Sequence, residues 1–147
     1  MNHVESLALE GATNAAIDET ETDHRFTSAD IRRLHALWLR DIYTWAGEYR
    51  SVNVSRDGFM FASARFIPQL MRELEEGPLR SYTPCRAQDV AGQAVALAIT
   101  HAELILIHPF REGNGRCARL LATLMGLQAG LPALNFASSE AGNAART

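Results

Sequence analysis

The sequence predicts an all-α fold that carries one small β-hairpin. Apolar residues recur at three- and four-residue spacing through most of the chain, over Ile31, Leu34, Leu37, Trp38, Ile42 and Trp45, and again from Val90 to Ile105. Only between Val52 and Phe61 does the period fall to two. At 147 residues, 47% apolar and 21% charged, the chain is one domain of globular composition, large enough to bury a core without disulfide or metal staples.

Residues 1–12 hold a short apolar-periodic piece, Val4, Leu7, Ala8 and Leu9, which predicts a two-turn helix ending near Gly11. Residues 13–26, acidic at Asp18, Glu19, Glu21 and Asp23, read as a surface loop. A long helix then opens at Thr27-Ser28, where a hydroxyl can cap it and Asp30 falls in the first turn. Trp38 and Trp45 belong to its core face, and His35, beside that face, reads as a structural histidine. From Val52 to Phe61 two extended runs flank Asp57-Gly58, a hairpin turn pair. Such a hairpin is barely stable alone, which leaves its edge free to pair with another strand. A helix from about Ala64 presents Phe66, Ile67, Leu70, Met71 and Leu74 and ends near Gly77-Pro78, with 77–87 as loop. The central helix follows, its stripe of Val90, Ala94, Leu97, Ala98, His101, Leu104 and Ile105 buried on most sides, and it delivers His108 at its end. Arg116 to Leu127 form the next helix, with Leu120, Leu121, Leu124, Met125 and Leu127 as core. Gly130-Leu131-Pro132 ends it, and residues 133–147 read as irregular.

The totals exclude several classes. A net charge of −3 argues against a general nucleic-acid binder, which carries a basic surplus. Cys85 and Cys117 lie far apart with no C-x-x-C pair, so they read as reduced thiols, neither a disulfide framework nor a zinc site. No apolar run reaches the roughly 20 residues of a membrane span, and the N-terminus lacks the charged-then-apolar signature of a leader. The expectation is a cytoplasmic protein without membrane or nucleic-acid partners; delivery by a secretion system that needs no N-terminal signal is compatible with it.

The chemistry is concentrated between the last two helices, in His108-Pro109-Phe110-Arg111-Glu112-Gly113-Asn114-Gly115-Arg116-Cys117-Ala118-Arg119. Glycines on both sides of Asn114 let the backbone turn its N–H groups inward, next to the N-terminus of the following helix. That is an anion nest, best suited to phosphate. Arg116 and Arg119, three apart on the helix, share a face and can grip one polyphosphate. Glu112 repels phosphate unless a cation lies between, which points to Mg2+. His108 is then placed to act as a base toward a hydroxyl. His101, seven residues earlier, has no further ligands to complete a metal set and reads as a buried, hydrogen-bonded histidine.

This segment matches the pattern H-x-F-x-(D/E)-G-N-G-R-x-x-R in full and so resembles the Fic (Fic/Doc) family. Ile42-Tyr43-Thr44-Trp45-Ala46-Gly47-Glu48-Tyr49-Arg50 is similar to the segment that ends the first core helix in that family. The resemblance implies a compact Fic-type helical domain and transfer of AMP from ATP to a Ser, Thr or Tyr hydroxyl of a target protein, with release of pyrophosphate. It implies His108 as the base, Phe110 as the anchor of the loop and Glu112 as the magnesium ligand. Gly113, Asn114, Gly115, Arg116 and Arg119 are then the nucleotide-binding residues. The hairpin corresponds to the family's flap, which holds a target segment extended beside the active loop through Val54, Phe59 and Phe61. Doc-type relatives, which phosphorylate, carry Lys where this chain has Gly115, so adenylyl transfer is the expectation. Removal of AMP, another nucleotide donor, and a non-catalytic binding module are the alternatives, and a homo-oligomer is compatible with all of them. Ser6-Leu7-Ala8-Leu9-Glu10-Gly11 also fits the family's inhibitory pattern (S/T)-x-x-x-E-(G/N). The resemblance implies that Glu10, with Ser6, restrains the site by pairing with Arg119.

Overall fold

The computed structural model describes residues 1–131; the reading of 133–147 as irregular lies outside the described residues. The elements are α1 (His3–Glu19), α2 (Ser28–Leu39), β1 (Ser55–Arg56), β2 (Phe59–Met60), α3 (Ile67–Leu74), α4 (Arg80–Tyr82), α5 (Val90–Ile107) and α6 (Asn114–Gln128). The all-α reading with one hairpin is correct.

α1 is far longer than predicted. Asn2 caps it through a reciprocal box: Asn2 Oδ1 accepts from the Glu5 N–H at 2.8 Å, and Glu5 Oε2 accepts from the Asn2 N–H at 3.1 Å. Gly11 does not stop it. An interior glycine costs a helix about 1 kcal/mol relative to alanine. Here Ala12 and Ala16 carry the helix past it, both buried against α2 and the core.

α2 begins as expected, with Thr27 as N-cap and Asp30 closing the box. It ends at Leu39, short of the predicted Ile42 and Trp45. Those two residues sit in consecutive turns over 40–47, where Tyr43 stacks on Trp45 at 4.5 Å. The hairpin pairs Ser55 with Met60 and Arg56 with Phe59, and a bond from Phe61 N–H to Val54 O at 3.1 Å extends it. Its turn is of the primed kind, with φ of 52° at Asp57 and 81° at Gly58.

The helix after the hairpin runs on past the predicted stop. A π-helical stretch, Glu75–Leu79, absorbs Pro78, whose ring and missing N–H an ordinary α-turn does not accommodate. Leu79 is fully buried beyond it. Ile67, Met71 and Leu74 face the core as expected, whereas Phe66 is exposed.

α6 buries the residues expected of it, except Leu127, which is only half-buried, whereas α5 is far less enclosed than expected. α5 buries one face only, Ala96, Thr100, Leu104 and Ile107, while Val90, Val95, Ile99 and Leu106 are exposed. A helix apolar on all sides gives no periodic clue to its buried face. By length and composition α5, 18 residues at mean hydropathy 1.7, is able to cross a membrane, which the sequence reading did not anticipate. A core helix of a globular protein passes the same test, and α5 packs on α6 and α3. α6 is the buried helix, enclosed at Cys117, Ala118, Leu120, Leu121, Leu124 and Met125. Both cysteines are free and buried, and burial pushes the Cys117 thiol up to about 12.

Candidate active site

His108 caps α5 in the left-handed conformation, φ 53° and ψ 61°, its N–H donating to Leu104 O at 3.0 Å. The residue before a proline avoids the right-handed helical region, so Pro109 helps turn the chain out here. The imidazole Nδ1 lies 3.3 Å from Ile105 O. A carbonyl only accepts, so Nδ1 carries the proton and Nε2 is the basic nitrogen. Burial lowers the His108 pKa, the hydrogen bond to Ile105 opposes this, and Arg50 and Arg56 add to the lowering. The ring therefore stays neutral under ordinary conditions, as a base must.

Two side chains fix the loop that follows. Asn114 is 3% exposed and spends its amide on Phe110, Oδ1 accepting from its N–H and Nδ2 donating to its C=O, each at 2.8 Å. Its side chain thus closes the loop, while its backbone N–H, the group that the anion-nest reading uses, stays at the N-terminus of α6. Phe110 is wholly buried, consistent with its anchoring role, and His35 stacks on it at 3.8 Å. His35 is structural, as read. Its Nδ1 accepts from Gly47 N–H at 2.8 Å, so its Nε2–H donates to Glu112 O at 2.9 Å. Burial holds its pKa down.

Gly113 precedes α6 at φ 83°, and a Cβ there meets Trp38 Cζ3 at 2.6 Å. Both the backbone and the space demand glycine. Gly115 is different: a Cβ at that position meets nothing within 4 Å. The fold makes no demand for glycine there, and Gly115 lines the cavity.

That cavity has a volume of about 600 Å³ and gathers His108, Glu112, Gly113, Asn114, Gly115, Arg116 and Arg119. Arg56 from β1 and Arg111 join them, so four guanidiniums (Arg56, Arg111, Arg116, Arg119) face two carboxylates (Glu5, Glu112). The lining is basic although the chain is acidic. The side chain of Glu112 is exposed at the cavity and makes no hydrogen bond or ion pair among the described residues. A single open carboxylate beside a phosphate nest fits Mg2+, which takes few protein ligands and completes its shell with phosphate and water. Among the described residues no cluster of three acidic, His or Cys side chains offers a stand-alone metal cage.

The flap supplies Val54 and Phe61 to the cavity, and Phe61 lies parallel to the His108 ring at 3.7 Å. Phe59 does not line it; half exposed, it packs edge-on against Phe61 at 5.2 Å. Ser6 and Glu10 are exposed on α1 and lie outside the cavity wall. The α1 carboxylate at the cavity is Glu5, which accepts from Tyr43 Oη at 2.5 Å and lies near enough to Arg116 to feel its charge. His101 is partly exposed and near Arg119, with its pKa lowered chiefly by burial.

Sequence reasoning missed Glu5, Arg56, Arg111 and Arg50. Asn2-x-x-Glu5 is a capping-box pattern that could have placed Glu5 at a fixed helix start. Arg56 and Arg111 carried no signal, because their role comes only from the meeting of flap and loop.

The sequence and fold match known proteins. The model of the Fic/DOC family matches residues 25–125. Over 119 residues the chain is 29% identical to the protein adenylyltransferase VbhT of Bartonella schoenbuchensis, covering 78% of this chain and 24% of that protein. Over 134 residues it is 28% identical to the probable protein adenylyltransferase y4lH of Sinorhizobium fredii, covering 88% and 66%. The chain thus spans less than two thirds of the length of either. In fold it is similar to BepC of Bartonella tribocorum, a translocated effector solved with bound AMPPNP, at TM-score 0.79 and 21% identity, covering 91% of this chain and 70% of that one.

Proposed function

The chain belongs to the Fic/DOC family, and from that premise we propose that it is a protein adenylyltransferase, moving AMP from ATP to a hydroxyl side chain of a target protein. The observation that carries the proposal is His108 itself: Nδ1 is committed to Ile105 O, so Nε2 is the free basic nitrogen of a residue lining a phosphate-compatible cavity. Curated relatives are named protein adenylyltransferases, and a similar fold has been solved with an ATP analogue bound, which supports ATP as donor.

In this reading Nε2 takes the proton of the target hydroxyl as its oxygen attacks the α-phosphorus. The new bond is P–O to the target, the bond broken is between the α-phosphorus and the bridging oxygen, and pyrophosphate leaves. The α6 N-terminus, Gly115, Arg116 and Arg119 hold the phosphates and stabilise the charge that develops. Glu112 holds Mg2+, which when bound neutralises phosphate charge. The flap edge carries the target segment, with Val54 and Phe61 nearest the base. Any restraint by α1 acts through Glu5 beside Arg116, and not through Glu10.

His108→Ala separates binding from chemistry. We expect the dissociation constant for Mg-ATP to stay within about threefold while transfer falls by 10³-fold or more, at the upper part of the range for loss of a general base. Transfer at the wild-type rate in that variant contradicts the proposal.

A further inference from the structure

Arg50 is 3% exposed, and among the described residues no carboxylate pairs with it. Its donors go to backbone carbonyls on two separate segments. Toward the active loop, Nε–H donates to His108 O at 2.6 Å, Nη2–H to Ile107 O at 3.2 Å, and the backbone N–H to Pro109 O at 2.8 Å. Toward the flap, Nη1–H donates to Val52 O at 2.8 Å and Nη2–H to Ala62 O at 2.5 Å. The carbonyls of Val52 and Ala62 bracket the hairpin at its base, and those of Ile107, His108 and Pro109 are consecutive.

Three consecutive carbonyls converge on one residue, two on its guanidinium and one on its backbone N–H, only where the chain turns sharply, and the left-handed His108 provides that turn. A buried charge needs compensation, and here peptide dipoles supply it through charge-assisted bonds stronger than neutral ones. Fixing the His108 carbonyl fixes the adjoining peptide plane and so the direction in which the imidazole leaves the backbone. Fixing the hairpin base fixes Phe61, which lies on that imidazole.

We propose that Arg50 is a positioning residue that locks the flap and the His108 loop into one unit, so that a hydroxyl presented by the flap edge arrives in fixed register with the base. The functional half of this rests on His108 being the base; the mechanical half does not. A lysine keeps the charge but ends in one point donor group and cannot span both segments.

The test uses the full chain with Arg50→Lys and Arg50→Gln, followed by amide hydrogen exchange, Mg-ATP binding and transfer rate. In Arg50→Lys the amides of 53–62 and those of 107–113 should exchange faster together, on the order of tenfold or more, while α6 amides from Leu120 onward keep their protection. Mg-ATP affinity should stay within about threefold while the transfer rate falls about 100-fold, the signature of misplaced reacting groups. Arg50→Gln should give the same pattern, more strongly. Exchange that rises in only one segment, or equally in α6, overturns the proposal, as does a transfer loss no larger than the loss of Mg-ATP binding. A wild-type chain that transfers nothing counts against the adenylyltransferase reading alone, because the exchange pattern still decides whether Arg50 couples the two segments.

Discussion

Gly113 and Gly115 look alike in the sequence and do different work. At Gly113 an alanine meets both a positive φ and Trp38. Gly113→Ala should therefore cost about 1–3 kcal/mol of stability, read by denaturant unfolding, from backbone strain before any relief of the clash. Gly115→Ala meets open space, so unfolding should change by less than about 0.5 kcal/mol. It should instead weaken Mg-ATP binding, because the methyl group enters the space left for phosphate; unchanged affinity would remove Gly115 from the nest. The same scale sets the acid limit of activity. Burial holds the His108 pKa below its ordinary 6.5, so the ring is neutral at pH 7 and the proposed transfer should run at its full rate there. It should be lost as pH falls through the depressed value, which places the acid limb of the rate profile below 6.5. A limb above that value contradicts the assignment of His108.

α1, the flap and the active loop meet at one cavity, and each was legible to a different degree. The twelve-residue segment 108–119, loop and first turns of α6, was legible because glycine, arginine and histidine chemistry is local. The hairpin was legible because Asp57-Gly58 is a turn signal and the period changes around it. α1 was misread: Gly11 looks like a stop, yet Ala12 and Ala16 gain burial that only the folded partner α2 provides. The carboxylate that α1 brings to the cavity is a different one from the Glu10 expected from the sequence pattern. α1 leaves Glu10 exposed and brings Glu5 to the cavity, tied to Tyr43 and near Arg116. Glu5→Gln should strengthen Mg-ATP binding several-fold by removing a like charge from the phosphate side, whereas Glu10→Gly should leave binding and transfer within about twofold. Activation by Glu10→Gly with no effect of Glu5→Gln would return the restraint to the position read from the sequence.

At the scale of the molecule the core is α6, held between α5, α1 and α2, with the active loop formed where α5 hands over to α6. Periodicity assigned the central place to α5 because an all-apolar helix hides which face is buried, and only packing decides between its sides. The consequence is measurable. Leu104→Ala, on the buried face, should cost about 2–5 kcal/mol, whereas Leu106→Ser, on the exposed face, should cost under about 1 kcal/mol. A basic cavity in an acidic chain is likewise a property of the assembly: Arg56 of the flap and Arg111, Arg116 and Arg119 of the active segment come from two stretches of sequence and meet only after folding. The most direct test of the account supplies the chain with Mg2+ and ATP labelled at the α- or the γ-phosphate, and follows label on protein hydroxyls in wild type and His108→Ala. Label from the α-position alone, lost with His108→Ala, is the predicted result. Label from the γ-position, or α-label that persists without His108, would contradict adenylyl transfer by this site.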